Sequence, residues 1–202
     1  MDKNQMNEQA NLAFEFIDKL YFEISYLIKE IEGLLKQEDE DFVIGRTRGY
    51  AITAGSSTGL DSPDWWCYKK FSVFYVPREL VKPLGGRTNT SLENPKGLKI
   101  IYLMFNLTDK ELSSPKISLG ILYDVSRISK DYNKKFEDST GYYLKSIWNM
   151  ARNYPNFANG EFEDKSLKFK GRFITKDLFD INNTEDIKKM LIEPVLKQFR
   201  SL

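Results

Sequence analysis

The sequence predicts a single α+β domain, in which a mainly antiparallel sheet of about five strands is flanked by helices. A long amphipathic helix near the N-terminus and several short apolar runs after it are the patterns that predict this class. No helix long enough for a parallel crossover separates the central runs, and this favours antiparallel pairing. The chain has 202 residues, the length of one domain (1–202), and we expect residues 42–176 to form the sheet body.

One long amphipathic helix is predicted over residues 5–37. Apolar side chains recur there at alternating spacings of three and four residues, which places them along one side of a helix. Other apolar side chains fall on the remaining sides, and a helix that is apolar nearly all round is buried on more than one side. Two explanations stay open: the chain covers this helix itself, or a partner covers it, either a second copy or another protein. For a partner, the predicted interface consists of Ile17, Leu20, Ile24, Leu27, Ile31, Phe16 and Phe22.

Five segments are predicted as strands. Residues 42–53 alternate with a period of two, whereas residues 71–76, 98–107 and 117–123 are apolar on both faces and are therefore central in the sheet. Proline and glycine mark the connections between them as loops. The fifth strand covers residues 167–174, with Leu167, Phe169 and Phe173 inward and Lys168, Lys170 and Arg172 outward.

Two further helices are predicted. A short one covers residues 143–152 and ends before Pro155, because the residue before a proline avoids helical angles. The C-terminal helix covers residues 184–201 and begins at Asn183, a residue type that caps helix N-termini well. We expect Pro194 to kink or interrupt this helix.

Two absences exclude whole classes of chemistry. The chain has no histidine, and Cys67 is its single cysteine, so histidine-dependent catalytic triads and Cys/His zinc sites are excluded. We expect no catalytic residue, no metal site and no cofactor. The remaining enzymatic alternative is a magnesium-dependent phosphodiesterase, in which Glu161, Glu163 and Asp164 would meet Asp124. A solvated turn before the fifth strand is the simpler explanation of these acids.

Charge is distributed unevenly along the chain. Residues 1–40 hold four basic and ten acidic side chains, although the whole chain holds 30 Lys+Arg against 29 Asp+Glu. Basic side chains two residues apart on a strand share one face at a spacing of about 6–7 Å, comparable to successive phosphates of a nucleic acid. A nucleic-acid-binding module is therefore the alternative function, although outward lysines also protect sheet edges. The residues that would bind are Arg46, Arg48, Tyr50, Lys168, Lys170 and Arg172.

Trp65 and Trp66 form a predicted contact loop. Adjacent residues on a strand point to opposite faces, so we expect one of the two indoles to stay partly exposed. Exposed tryptophan is a preferred anchor for protein partners and for stacking on bases.

The leading interpretation is a non-enzymatic binding or assembly subunit. It would form a homo-oligomer, or bind a protein partner, through residues 5–37. The N-terminal residues lack the pattern of a signal peptide, and the longest apolar run is too short to span a bilayer. A lone cysteine fits a reducing compartment, so we expect a soluble cytoplasmic protein that does not associate with membranes.

Overall fold

Helices from both ends of the chain pack on one face of a sheet in the computed structural model. It describes residues 2–38, 42–44, 70–77, 82–83, 90–91, 99–107, 113–127, 159–163 and 167–202. The elements, in chain order, are α1 (Lys3–Glu38), β1 (Phe42–Ile44), β2 (Lys70–Pro77), β3 (Lys82–Pro83), β4 (Thr90–Ser91), β5 (Ile100–Asn106), β6 (Lys116–Arg127), β7 (Gly160–Glu163), β8 (Leu167–Asp177), a 3₁₀ turn (Leu178–Asp180), α2 (Thr184–Ile187), a π-helical turn (Lys188–Ile192) and α3 (Glu193–Ser201).

Six strands form the main sheet, in the order β1-β2-β5-β6-β8-β7, and every neighbouring pair is antiparallel. The predicted α+β class is thereby confirmed. The sixth strand is β7, four residues that pair with β8 at the edge of the sheet. The expectation of a solvated turn at this position was wrong, because Phe162 is its one apolar side chain and a single residue gives no periodicity to read. β3 and β4 pair separately as a short two-stranded sheet.

The predicted helix over residues 5–37 is confirmed by α1, and the central strands agree with their predicted positions. Of the predicted strand 42–53, the structure describes β1 alone. The predicted helix at residues 143–152 lies outside the described residues.

The main core lies between one face of the sheet and two helices. Ile24, Ile28 and Ile31 of α1 are each at most 1% exposed. Full burial of such a side chain stabilises the fold by about 1.5–3 kcal/mol, so this row alone contributes several kcal/mol. The same cluster contains, from the sheet, Val73, Tyr75, Ile101, Leu103, Phe105, Ile117, Leu119 and Ile121, and from the C-terminal segment Leu178, Ile187, Leu191, Ile192, Val195 and Leu196.

Polar contacts fix α1 in place on this core. The buried hydroxyl of Tyr75 donates a hydrogen bond to the backbone carbonyl of Ile28 at 3.3 Å, and burial raises the pKa of Tyr75. The Thr184 hydroxyl donates to Glu30 at 3.0 Å. Arg200 donates to the backbone carbonyl of Glu38 at 3.2 Å. The C-terminal helix therefore contacts the last two turns of α1 as well as the sheet.

The C-terminal helix continues through a proline by changing its geometry. The side chain of Asn183 accepts a hydrogen bond from the backbone N–H of Asp186 at 3.0 Å, which caps α2 as predicted. The π-helical turn Lys188–Ile192 follows, and Pro194 then stands in the first turn of α3. A proline has no N–H to donate to the preceding turn, and the wider π turn lies where that hydrogen bond is lost.

The second face of the sheet carries aromatic side chains. Phe74 and Tyr102 lie on neighbouring strands with ring centroids 4.8 Å apart, and Phe173 meets Tyr102 edge-on at 6.0 Å. The ring of Phe173 occupies the space beside Gly120 and Gly171, where a Cβ atom would lie only 2.3 Å and 2.5 Å from it. Both glycines are therefore required by close packing.

We expect Gly120→Ala to destabilise the protein by about 3 kcal/mol or more. The added Cβ would lie 2.3 Å from the backbone oxygen of Arg172 and 2.8 Å from the Cα of Phe173, and overpacking of this kind costs typically about 1–3 kcal/mol even where side chains can move. Urea unfolding of the full chain measures the change. Gly33→Ala is the matched control, because nothing lies within 4 Å of its Cβ position. Replacing a helical glycine should stabilise by about 0.5–1 kcal/mol. An unchanged midpoint for Gly120→Ala would contradict the packing described here.

Candidate functional site

The two halves of α1 differ in burial. Every buried residue of the helix stands at Tyr21 or later, whereas all residues from Asp2 to Phe16 are exposed. At about 1.5 Å per residue, the 36 residues of α1 span about 54 Å. Residues 3–20, which we call the N-terminal half of α1, account for about 27 Å of that length.

The apolar stripe of the helix continues beyond the sheet. Successive residues of an α-helix are rotated by about 100°, so Met6, Ala10, Ala13 and Ile17 lie on the same side as Ile24. In the C-terminal half this side is buried against the sheet, and in the N-terminal half it is exposed or only partly covered. A helix side that is typical of a core contact is therefore exposed from Met6 to Ala13 and only partly covered at Ile17.

Large apolar side chains make the exposure substantial. Among the described residues, eight large apolar side chains count as exposed, and six of the eight lie on α1. Met6, Phe14 and Phe16 lie on the stripe or its flanks, whereas Phe22 and Tyr26 lie on the opposite side of the helix. A contiguous exposed apolar surface is typical of an interaction site, whereas single scattered residues are not informative. The exposed fractions on α1 are Met6 50%, Leu12 58%, Phe14 64%, Phe16 59%, Phe22 45% and Tyr26 62%.

The structure separates the predicted interface residues into three groups. Phe16 and Phe22 are exposed, and Ile24 and Ile31 are buried in the core of the chain itself. The third group packs partly against that core and consists of Ile17, Leu20 and Leu27.

The exposed set also includes Met6, Leu12 and Phe14, which the sequence analysis did not assign to the interface. Their signal was present, because the apolar stripe runs the whole length of the helix. The sequence does not show at which residue of α1 the contact with the sheet begins, and that residue decides which part of the stripe is exposed.

From Gln5 to Ile17, charged side chains avoid the apolar side of the N-terminal half. Glu8, Glu15, Asp18 and Lys19 all lie away from this side, by the same rotation of about 100° per residue. Lys3, in the first turn, is the charged residue of this half that lies beside the stripe, about 60° from Met6. The acidic side chains of the N-terminal half are thus confined to its other side.

The basic row on β8 is placed against carboxylates. Lys168 Nζ lies 3.2 Å from Glu161 Oε2 and 3.9 Å from Glu163 Oε2. Lys170 Nζ lies 3.0 Å from Asp124 Oδ2 and 3.7 Å from Glu161 Oε1. These carboxylates neutralise part of the positive charge of the two lysines. Less of that charge is therefore left to attract a phosphate group. The nucleic-acid interpretation of this row stays a prediction.

These ion pairs shift the protonation of their members. The hydrogen bond and the charge of Lys168 hold the pKa of Glu161 below its ordinary value. The hydrogen bond to Asp124, together with its charge, raises the pKa of Lys170. The third member of the row, Arg172, places its guanidinium 5.6 Å from the centroid of the Tyr123 ring. In the register of β6 and β8, Arg172 lies opposite Ile121 and Lys170 opposite Tyr123. The row therefore lies on the sheet face that packs against α1.

A β-bulge positions one of the carboxylates. The register between β6 and β8 shifts between Tyr123 and Ser126, and Asp124 adopts a φ of 53° there. This left-handed conformation is uncommon outside glycine, and aspartate tolerates it better than most residues. The bulge turns the carboxylate of Asp124 toward Lys170.

A smaller polar cluster lies at the other end of β6 and β8. The Asp177 carboxylate accepts hydrogen bonds from Ser114 and Lys116, and both partners lower its pKa. Asn106 stands beside Lys116 in the register and is 2% exposed. Among the described residues, Asp177 is the single carboxylate in this cluster, and one carboxylate alone is not a set of ligands for a divalent cation.

Several predicted site residues lie outside the described residues, namely Arg46, Arg48, Tyr50, Trp65 and Trp66, and also Asp164 of the metal alternative. Within the described ranges, no group of three or more histidine, cysteine, aspartate or glutamate side chains is arranged to hold a metal ion. Among those same residues, no helix is both long and apolar enough to cross a membrane.

We expect Glu161→Gln to lower the thermal unfolding midpoint slightly at pH 7, and we expect this effect to become smaller as the pH falls from 4.5 toward 3. The pKa of Glu161 is lowered in the folded chain, so its ion pair stabilises above the ordinary carboxyl pKa of 4.5 and that stabilisation disappears as the pH falls through the folded value. The effect is small because exposed ion pairs are screened by solvent. Glu8→Gln on α1 serves as the control at both pH values. A deficit of equal size at pH 3 would contradict this origin.

Comparisons with protein-family models, with curated proteins and with solved structures found no match for this chain. No relative therefore lends it a fold name or an activity. The surfaces described above are the observations from which a function can be argued.

Proposed function

We propose that this protein is a non-enzymatic binding or assembly subunit that associates with a protein partner through the N-terminal half of α1. The observation that carries the proposal is the apolar stripe of that helix, which is buried from Tyr21 onward, partly buried at Ile17 and Leu20, and exposed before them. The same kind of side chain that packs the core thus faces solvent over about four turns, from residue 3 to residue 16.

Exposure of this kind is unfavourable unless something covers it. Phe14 and Phe16 are 64% and 59% exposed, and a buried aromatic side chain removes about 150–250 Å² from water. Full burial of a phenylalanine side chain contributes about 1.5–3 kcal/mol, so covering the exposed part of one of these two contributes about 1–2 kcal/mol to association. A partner that covers the stripe therefore gains a large hydrophobic contribution from few residues.

A role as a plain solvated helix does not fit the residue pattern. A helix that only touches solvent carries polar or charged residues all round, or on every side except the one facing its own core. The N-terminal half of α1 instead carries Met6, Phe14 and Phe16 on sides that the described part of the chain leaves exposed. Helices in proteins derive most of their stability from packing of such an apolar side.

The test is the native size of the protein in extracts of the cells that make it. We expect a tagged wild-type chain to elute as a complex and Phe14→Glu to elute at the size of the monomer. A carboxylate placed in an apolar contact costs several kcal/mol, so the affinity should fall by at least about 100-fold, or 2.7 kcal/mol.

Tyr26→Glu is the matched control. Tyr26 is as exposed as Phe14, at 62% against 64%, but it lies about 120° farther round the same helix and away from the stripe. This variant should keep the size of the wild-type complex. A wild-type chain that elutes as a monomer in the extract would overturn the proposal, as would a Phe14→Glu chain that stays in the complex.

A further inference from the structure

We infer that the partner of the N-terminal half of α1 is a second copy of this chain, with the two helices running antiparallel; this rests on the proposed function. Three observations lead to it: the charges around the helix, the position of its small residues, and the place where the sheet begins to cover the stripe. Each constrains the partner in a different way.

The distribution of charge permits two identical surfaces to meet. The chain holds ten acidic and four basic side chains in residues 1–40, which on its own would favour a basic partner. The acids of the N-terminal half, however, lie on the side away from the stripe, and no charged residue stands on the stripe or its flanks from Gln5 to Ile17. Two copies can therefore pair along this side without placing like charges opposite each other.

The sizes of the side chains suit two helices that cross. Ala10 and Ala13 stand in the middle of the N-terminal half, with Met6 on one side of them and Ile17 and Leu20 on the other. The distance between packed helices is set by the side chains at the contact, so small residues at the centre let the axes approach closely there. Larger residues then fill the space where the axes diverge. A contact between identical surfaces must complement itself, and this arrangement does so.

The sheet excludes the parallel orientation. From Tyr21 onward the stripe of each helix is covered by that chain's own core. A parallel partner helix would have to continue along the same side, into the space that the sheet fills. An antiparallel partner overlaps only with residues 3–20 and then runs beyond the N-terminus. In that register Ala10 lies opposite Ala13 of the second copy, and Met6 lies opposite Ile17 of the second copy.

The expected interface lies at the small end of those found in stable dimers. Each copy contributes the exposed parts of Phe14 and Phe16, which are 64% and 59% of each side chain, in addition to Met6 and the uncovered parts of Ile17 and Leu20. The four phenylalanines supply about 360–600 Å², and the aliphatic side chains bring the total toward the lower end of the roughly 1,200–2,000 Å² that specific interfaces bury.

Sedimentation velocity of the purified full chain tests the identity of the partner. We expect a dimer at concentrations between about 1 and 100 μM, which corresponds to a Kd in the micromolar range or below. Ala13→Glu should weaken dimerisation at least about 100-fold, because it places two carboxylates at the closest approach of the helices. Asn11→Glu adds the same charge to the exposed helix about 120° away from the centre of the stripe and should leave the dimer unchanged. A wild-type chain that stays a monomer over this range overturns the inference.

Disulfide cross-linking tests the orientation, in a Cys67→Ser background. An equimolar mixture of Met6→Cys and Ile17→Cys chains should form a heterologous cross-linked dimer under mild oxidation. Met6→Cys alone should form none, because antiparallel pairing separates its two copies by about 11 residues, or about 16 Å along the axis. Efficient cross-linking of Met6→Cys with itself would indicate a parallel pair and overturn the inference.

The two proposals fail in different ways. A purified chain that is monomeric, combined with a complex in the extract that Phe14→Glu abolishes, would overturn the second copy and leave the proposed function standing. A monomer in both experiments would overturn both. Dimerisation that Ala13→Glu and Phe14→Glu both leave unchanged would show that another surface is responsible.

Discussion

The packing of three isoleucines of α1 on one face of the sheet is the contact on which the rest of the structure depends. Ile24, Ile28 and Ile31 are fully or almost fully buried, and they meet strands β2, β5 and β6 at the centre of the sheet. The C-terminal segment completes the same cluster from its other side, so three parts of the chain that are distant in sequence share one core. This contact also determines where the stripe of α1 ceases to be covered.

The two faces of the sheet meet different packing requirements. The face under α1 is filled mainly by branched aliphatic side chains, which the helices cover. On the other face, aromatic rings of neighbouring strands pack on one another, and Phe173 lies over two glycines that have no side chain to obstruct it. At the edge, β7 is joined to β8 by lysine–glutamate pairs as well as by backbone hydrogen bonds.

The sequence was sufficient to predict α1, the central strands and the antiparallel class, because each has a strong and continuous pattern of apolar residues. It did not predict β7, whose pairing depends on its neighbour rather than on its own four residues. Nor could it separate the buried from the exposed part of α1. Phe14 and Ile28 follow the same periodicity, and only the position of the sheet decides that one is 64% exposed and the other 0%. Likewise, the carboxylates beside Lys168 and Lys170 come from a bulge and from an edge strand, which have no periodic signature.

The part of α1 from Tyr21 onward is fixed on the core, and this affects how fast the N-terminal half of the helix forms and binds. Starting a helix is the unfavourable step, since several residues must be fixed for one hydrogen bond, whereas extending an existing helix adds one bond per residue. In α1 the segment after Tyr21 is held by the core and acts as a permanent nucleus, so the turns before it form by extension alone. Its surface is thus already helical in the free chain, so the association that we propose would need no coupled folding step, which favours a high association rate. It also implies an uneven pattern of amide hydrogen exchange along a single helix, with protection increasing from the first turn toward the residues above the sheet.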